Sequence, residues 1–257
     1  MMFQQFNPLY ALSGLAVGML VGLTGVGGGS LMTPMLILVF GIHPGTAVGT
    51  DLLYAAATKS VGSAVHGFKD TIDWGVVSRL AVGSVPATIL SSLLLPFVGK
   101  APSLITTTLG VALLVTAVAM LFRETIRRLA SGHIRELTQT ETTIATVILG
   151  VVLGALVTLT SVGAGAIGMT VLLTLYPKLP AKRLVGSDIA HAVPLTLIAG
   201  VGHWMNGSVN WSLLSSLLVG SIPGIIIGSL LAAQMSDRVL RPTMAVVLGL
   251  VGAKMLT

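Results

Sequence analysis

The sequence predicts an all-α, polytopic membrane protein built from two inverted repeats of about five hydrophobic segments each. Its composition is the first reason: 54% of the 257 residues are hydrophobic, only 9% are charged, and the mean hydropathy is +0.97. So few charged residues cannot cover the surface of a soluble protein. The second reason is that apolar segments recur along nearly the whole chain. The third is that motifs of the first half return in the second.

Ten apolar segments lie between polar breaks. Their approximate bounds are about 9–25, 29–42, 46–67, 74–98 and 102–122, then about 142–161, 163–177, 181–205, 211–234 and 238–256. The second and seventh are shorter than the roughly 20 residues of a spanning helix, which predicts short broken or re-entrant helices near 25–29 and 161–165. We therefore divide the chain into a first repeat (1–122), a cytoplasmic linker (123–141) and a second repeat (142–257), all within one integrated membrane domain.

Four motifs recur in the same order in both halves. They are GLTGVGGGSLMTP at 22–34 and TLTSVGAGAIGMT at 158–170, GTD at 49–51 and GSD at 186–188, HGFKDTIDW at 66–74 and HWMNGSVNW at 203–211, and VGSVP at 82–86 and VGSIP at 219–223. The offset is 136 residues for the first motif and 137 for the others. Similar apolar composition does not explain uncommon His, Trp and Pro residues in register. The pattern therefore indicates an internal duplication.

The odd number of segments in each repeat predicts that the two repeats enter the membrane in opposite directions. Loop charges agree with this topology. With the 123–141 linker in the cytoplasm, eleven lysines and arginines lie inside, and only Lys100 and Lys254 lie outside. Four spans per repeat would instead place five of the eleven outside, against the positive-inside rule.

Glycine-rich stretches precede the short segments of both halves. The first contains Gly25, Gly27, Gly28, Gly29 and Ser30, and the second contains Ser161, Gly163 and Gly165. Broken backbone at membrane depth is tolerated only where it is buried in protein or lines a water-filled cavity. We expect Ser30 to cap the following helix, whose free N–H groups and positive dipole end favour an anion. These residues are candidates for substrate binding; the alternative is that the glycines only permit close helix packing.

Lys59 is the only lysine or arginine well inside an apolar segment. Because a buried cation is costly, we expect a carboxylate, a water-filled cavity or an anionic ligand beside it, and we assign Lys59 to the substrate site. The alternative is that its ammonium group snorkels to the inner face. Four ring-bearing residues near segment ends are instead expected to be interfacial anchors, namely His66, His203, Trp74 and Trp211.

Asp51 and Asp188 are equivalent residues of the two repeats, and His191 lies one helical turn after Asp188. Either carboxylate can bind and release a coupling proton or cation, or accept hydrogen bonds from the broken backbone nearby. The sequence leaves both roles open. His191 can tune Asp188 by hydrogen bonding, so we group these three residues as coupling candidates.

The duplicated GVGGG…P and GTD motifs, together with the charged middle loop, resemble the TauE/SafE sulfite exporter family of bacterial membrane permeases. The resemblance covers nearly the whole chain. It is closest in VGGGSLMTPML and AVGTDLL and weaker in the second half, where Ser161 and Ala164 replace glycines. It implies a multi-pass protein of the bacterial cytoplasmic (inner) membrane that moves small sulfur-containing anions such as sulfite, thiosulfate or organosulfonates. It fixes neither the substrate nor the direction.

Our leading hypothesis is a secondary transporter, not an enzyme. The glycine breaks and Lys59 would bind a small anion, and a carboxylate would link its movement to a proton. A passive anion channel is the first alternative. A second is an intramembrane aspartyl protease using Asp51 and Asp188, but such a dyad needs its carboxyl groups about 3 Å apart. Inverted repeats would place them in opposite leaflets.

We expect no cofactor, no catalytic residue and no metal site. The sequence has no cysteine and no P-loop motif. Its basic residues lie in short loops between apolar segments, which argues against a nucleic-acid partner. The expected partners are the small anionic substrate and the lipid bilayer, and a homodimer is left open.

Overall fold

The computed structural model describes residues 7–24, 29–68, 71–98, 102–133, 138–231 and 237–256. All regular elements in these ranges are α-helices, which confirms the all-α prediction. The helices are α1 (Pro8–Thr24), α2 (Gly29–Leu38), α3 (Pro44–Phe68), α4 (Trp74–Val98), α5 (Pro102–His133), α6 (Gln139–Thr160), α7 (Ile167–Leu175), α8 (Ala181–Met205), α9 (Trp211–Leu231) and α10 (Asp237–Leu256).

Five of these helices are long and apolar enough to cross a membrane. They contain the segments Trp74–Phe97, Ser103–Arg123, Gln139–Thr160, Ala181–Met205 and Trp211–Gly228. The shorter apolar helices Pro8–Leu23 and Pro242–Leu256 accompany them. α3 is also long, but it carries Asp51 and Lys59 in its interior. The multi-pass membrane class predicted from composition is therefore confirmed.

The predicted linker differs from the structure in one respect. α5 continues to His133, so much of the 123–141 segment extends a helix. This stretch contains several good helix formers and has no glycine or proline before Gly132, so nothing in it ends the helix earlier. α6 then begins with a capping box, in which Thr138 and Glu141 bond reciprocally to each other's backbone N–H groups. The location of the linker in the cytoplasm stays a prediction.

The second helix of each repeat is too short to span a bilayer. α2 has 10 residues and α7 has 9. At about 1.5 Å per residue each covers roughly half of the hydrocarbon thickness. The predicted short helices are therefore present after both glycine-rich stretches.

Equivalent helices make equivalent contacts in the two repeats. α1 packs on α9 as α6 packs on α4, and α3 and α8 pack on each other as α5 and α10 do. The correspondence extends to single residues. A Cβ at Gly14 would lie 2.1 Å from the Leu217 carbonyl oxygen, and a Cβ at the equivalent Gly150 would lie 2.3 Å from that of Leu80. These helix pairs touch backbone to backbone because glycine occupies the contact.

The direction of α3 and α8 bears on the orientation of the repeats. Gly62 of α3 approaches Ile189 of α8, whereas Leu53 approaches Gly200. The residue numbers rise along one helix as they fall along the other, so these equivalent helices run antiparallel. Inverted repeats require this direction, and it supports that prediction.

Candidate functional site

α3 and α8, which pack on each other, both carry buried polar and charged residues. Lys59 is only 7% exposed, although it carries an ammonium group. The register of the two helices places it near the middle of their crossing. It lies about 12 Å along the axis from Asp51 and about one turn from the level of Asp188. The candidate site therefore lies at the interface of the two repeats.

Lys59 interacts electrostatically with two carboxylates, most strongly with Asp188 and more weakly with Asp51. This order agrees with the helix register. Both carboxylates are buried, with Asp51 fully inaccessible and Asp188 4% exposed. The electrostatic surroundings of Lys59 therefore include two carboxylates, while its assignment to a substrate site stays a prediction.

Asp51 is held by one hydroxyl group. Its Oδ2 accepts a 2.5 Å hydrogen bond from Oγ1 of Thr33 on the half-helix α2. The hydroxyl of Ser161, in the break between α6 and α7, also faces this carboxyl group but makes no formal hydrogen bond. Asp51 thus lies near segments of both repeats. The hydrogen bond that it accepts comes from a side chain of α2 rather than from broken backbone, and its Oδ1 atom is buried without a partner among the described residues.

The break in the second repeat has a defined backbone geometry. α6 ends at Thr160, and the next residue, Ser161, adopts a left-handed conformation with φ of 59°. Gly163 has φ of 118°, which favours glycine, and its carbonyl accepts a hydrogen bond from the N–H of Gly168 at 3.1 Å. α7 starts at Ile167, so Ser161, Gly163 and Gly165 all lie in the break between the two helices.

The break in the first repeat is only partly described. Gly25, Gly27 and Gly28 lie outside the described residues. α2 begins at Gly29, so Ser30 is inside the helix rather than at its N-cap, which corrects that prediction.

Asp188 and His191 lie one turn apart on α8. The Oδ1 atom of Asp188 is buried without a hydrogen-bond partner among the described residues. The charged groups that act on it are Lys59 and, more weakly, Arg123 of α5. His191 is fully buried, and its Nε2 lies 2.7 Å from Oγ of Ser84 on α4. The ring does not bond Asp188, and its Nδ1 has no partner in the described part of the chain.

Sequence reasoning missed several residues of this site. Ser84 lies in the recurrent VGSVP motif, and its equivalent, Ser221, faces Tyr54, the residue equivalent to His191. The paired motifs therefore contained a usable signal for both contacts. Arg123 lies at the start of the segment that the sequence predicts as the linker. No sequence signal showed that its charge reaches Asp188.

The expected interfacial anchors divide into two groups. Trp74 and Trp211 are 68% and 46% exposed, as interfacial residues would be. His203 is buried, with Nε2 2.9 Å from the Thr158 carbonyl oxygen, so its predicted anchor role is wrong. His203 packs against Gly49 of α3, whose missing side chain allows α3 to approach α8 closely. The side chain of His66 lies outside the described residues.

Comparison with known proteins identifies the family. The sequence pattern described as "Sulfite exporter TauE/SafE" matches residues 10–255. This chain belongs to the TauE/SafE family. A TauE/SafE-type relative, the "Probable membrane transporter protein YjnA" of Bacillus subtilis (strain 168), is 40% identical over 250 residues, covering 95% of this chain and 98% of its own.

A second relative, the "Probable membrane transporter protein MJ0441" of Methanocaldococcus jannaschii, is 27% identical over 267 residues, covering 97% of this chain and 95% of its own. No solved structure matches the chain. The TauE/SafE assignment and these relatives support a multi-pass membrane transporter.

Proposed function

We propose that this protein is a secondary transporter, or permease, that moves a small sulfur-containing anion across the bacterial cytoplasmic membrane with proton coupling. The substrate class includes sulfite, thiosulfate and organosulfonates. The observation that carries the proposal is Lys59, a buried ammonium group near the middle of two crossing helices from different repeats. A cation held at that depth is typical of a substrate or ion pathway.

The surroundings of Lys59 suit a small oxyanion. α7 packs on α8, and a Cβ at Gly168 near the start of α7 would lie 2.9 Å from Oδ1 of Asp188. The N-cap residue of α7 makes no side-chain hydrogen bond to the first N–H groups. Ser161 adds a buried hydroxyl with no hydrogen-bond partner among the described residues. The Ser161 hydroxyl lies beside Asp51 and the start of α7 lies beside Asp188, so hydrogen-bond donors for a sulfite or sulfonate group lie on both sides of the level of Lys59.

The helix register argues against the protease alternative. Asp51 and Asp188 are separated by about 18 Å along the helices, with Lys59 between their levels. Two carboxyl groups at that separation cannot share one proton, as an aspartyl dyad must. Two separate buried carboxylates are more typical of a transport pathway than of a protease active site.

The test is anion exchange by the purified protein in liposomes. Vesicles are loaded with unlabelled thiosulfate, sulfite or methanesulfonate. They are then diluted into a solution of the same anion in radiolabelled form, and the uptake of label is measured. Lys59→Ala should lower exchange about tenfold or more, since a lost charge contact of about 1.4 kcal/mol has that effect. Lys182→Ala, which changes an exposed lysine at the start of α8, is the matched control and should exchange like wild type.

Two results would count against the proposal. Equal exchange in wild type and Lys59→Ala would remove the lysine from the substrate site. Uptake of label that is not accelerated by unlabelled anion on the opposite side would indicate the passive channel instead of a carrier.

A further inference from the structure

The two equivalent carboxylates lie in different surroundings. Asp51 accepts a hydrogen bond from Thr33 and faces the Ser161 hydroxyl. Asp188 instead lies in the electrostatic field of two cations, Lys59 and, more weakly, Arg123. On the side of Asp188 that faces α7 lies Gly168, whose Cβ position would be 2.9 Å from Oδ1, so no side chain there can donate a hydrogen bond. Both carboxylates keep a buried Oδ1 atom without a hydrogen-bond partner among the described residues. Of the two, Asp51 accepts a hydroxyl hydrogen bond, whereas the strongest charged neighbour of Asp188 is Lys59.

The difference follows from one departure from the internal repeat. With the offset of 137 residues, the equivalent of Lys59 is Thr196, whose hydroxyl bonds the Ala192 carbonyl of its own helix. Across the two repeats, Lys59 of the first lies near Asp188 of the second. The corresponding neighbour of Asp51 is Thr196, which carries no charge. Lys59 lies closer to the level of Asp188, and its strongest carboxylate interaction is with Asp188.

Charge counting then restricts how an anion can enter. Lys59 is one cation between two carboxylates on α3 and α8, and Arg123 is only partly buried. If both carboxylates are ionised, an added anion must share Lys59 with a carboxylate that already neutralises it. At low dielectric this repulsion is screened far less than in water, so it strongly disfavours the anion. A proton on the competing carboxylate removes it.

We propose that Asp188 is the internal counter-ion of Lys59 in the empty transporter, and that the transported anion replaces it there when Asp188 takes up a proton. The proton comes from the water that delivers the anion, forms an O–H bond on the Asp188 carboxyl group, and leaves with the anion on the other side. Asp51 stays a hydrogen-bond acceptor for the broken segments and does not couple. This assignment rests on the proposed function and specifies its coupling residue.

The groups around Asp188 fit this role. From α3 it is faced by Lys59 and from α5 by Arg123, and on α8 itself His191 lies one turn away. Among the described residues of α4, the charged Arg79 is turned to the Tyr176 hydroxyl, 3.3 Å from it. The neutral hydroxyl of Ser84 holds His191. Lys59 is therefore the charge that a proton on Asp188 would release most directly.

The experiment uses radiolabelled methanesulfonate, which carries one negative charge at every pH of the assay. Liposomes contain equal potassium on both sides with valinomycin, so the membrane potential is zero, and their interior is about one pH unit more alkaline than the medium. One proton moving with each anion then gives about tenfold accumulation in wild-type vesicles. Asp188→Asn should accumulate no anion, with a ratio of about one, while exchange at equal pH persists.

Lys182→Ala, at an exposed residue outside the site, is the control and should exchange and accumulate like wild type. Asp51→Asn makes the same chemical change at the equivalent position of the other repeat and tests whether coupling belongs to Asp188 alone. Whatever the exchange rate of Asp51→Asn, its accumulation ratio should stay at about tenfold. Accumulation retained in Asp188→Asn, or a ratio of about one in an Asp51→Asn variant that still exchanges, would overturn the assignment. Absence of exchange in wild type would refute the proposed function, and this inference with it.

A binding measurement decides the case in which Asp188→Asn carries no exchange. Methanesulfonate should raise the thermal stability of detergent-purified wild type more strongly as the pH falls, and that of Asp188→Asn equally at every pH. The proposal would be overturned if methanesulfonate stabilised Asp188→Asn with the same pH dependence as wild type. If Asp188→Asn does not yield folded protein, the proposal would be overturned by a stabilisation of wild type that does not change with pH.

Discussion

The contact between α4 and α6 gives a prediction whose size follows from the structure. Gly150 of α6 faces the backbone of Leu80 on α4, and a Cβ there would lie 2.3 Å from the carbonyl oxygen. Real Cβ atoms essentially never come closer than 3.0 Å, so Gly150→Ala must separate the helices by about 0.7 Å. Overpacking of this kind costs about 1–3 kcal/mol. One turn further on, the shift would also displace Ser84, which holds His191.

The assay is thermal denaturation of the purified protein, followed by the loss of monodisperse material. At about 2–4 °C per kcal/mol, Gly150→Ala should lower the midpoint by about 2–12 °C. Gly62→Ala is the control, because its new Cβ would lie 3.7 Å from Ile189, an ordinary contact. Alanine is also the better helix former by about 0.8–1 kcal/mol. A wild-type midpoint for Gly150→Ala would refute the backbone contact between α4 and α6.

Two further predictions test the site and the topology. Thr33→Val removes the donor to the buried Asp51 Oδ2 and should cost about 1–3 kcal/mol in the same assay, whereas Thr170→Val, which loses only a bond to Ala166 of its own segment, should cost less. Equal losses would show that the bond to Asp51 is unimportant. Because the chain has no cysteine, single cysteines can be labelled with an impermeant maleimide: His43→Cys should react in intact cells and Lys178→Cys only after permeabilisation. Reaction of both from the same side would contradict the inverted topology.

The helices were predictable because lipid imposes simple rules on a chain. A spanning helix needs a long apolar run, and polar residues between runs mark the loops. The structure accordingly places α4 at Trp74–Val98 and α8 at Ala181–Met205, with the predicted bounds. α5 departs from the prediction because a helix does not need to stop at the membrane surface. Polar residues beyond Phe122 can continue it in water.

The candidate site was predictable as a set of residues but not as a set of contacts. Lys59 and the two aspartates stand out because charge is rare in apolar segments. Which aspartate faces Lys59 depends on the register of α3 against α8, which a single sequence does not contain. Thr33 and Ser84 are ordinary residues in membrane helices until the fold places a carboxylate or an imidazole opposite them.

The packing of the helices also limits how the protein can change conformation. α1 and α9 come from different repeats, yet Gly220 would place a Cβ 1.7 Å from the Ala11 carbonyl oxygen, so these helices touch along their backbones. α4 and α6 form the equivalent pair. A motion that separated one whole repeat from the other would break both contacts. We therefore expect α1 to stay with α9, and α4 with α6, when the site opens to either side of the membrane. The movement would then occur between these two pairs and the α3–α8 crossing, where Lys59 lies.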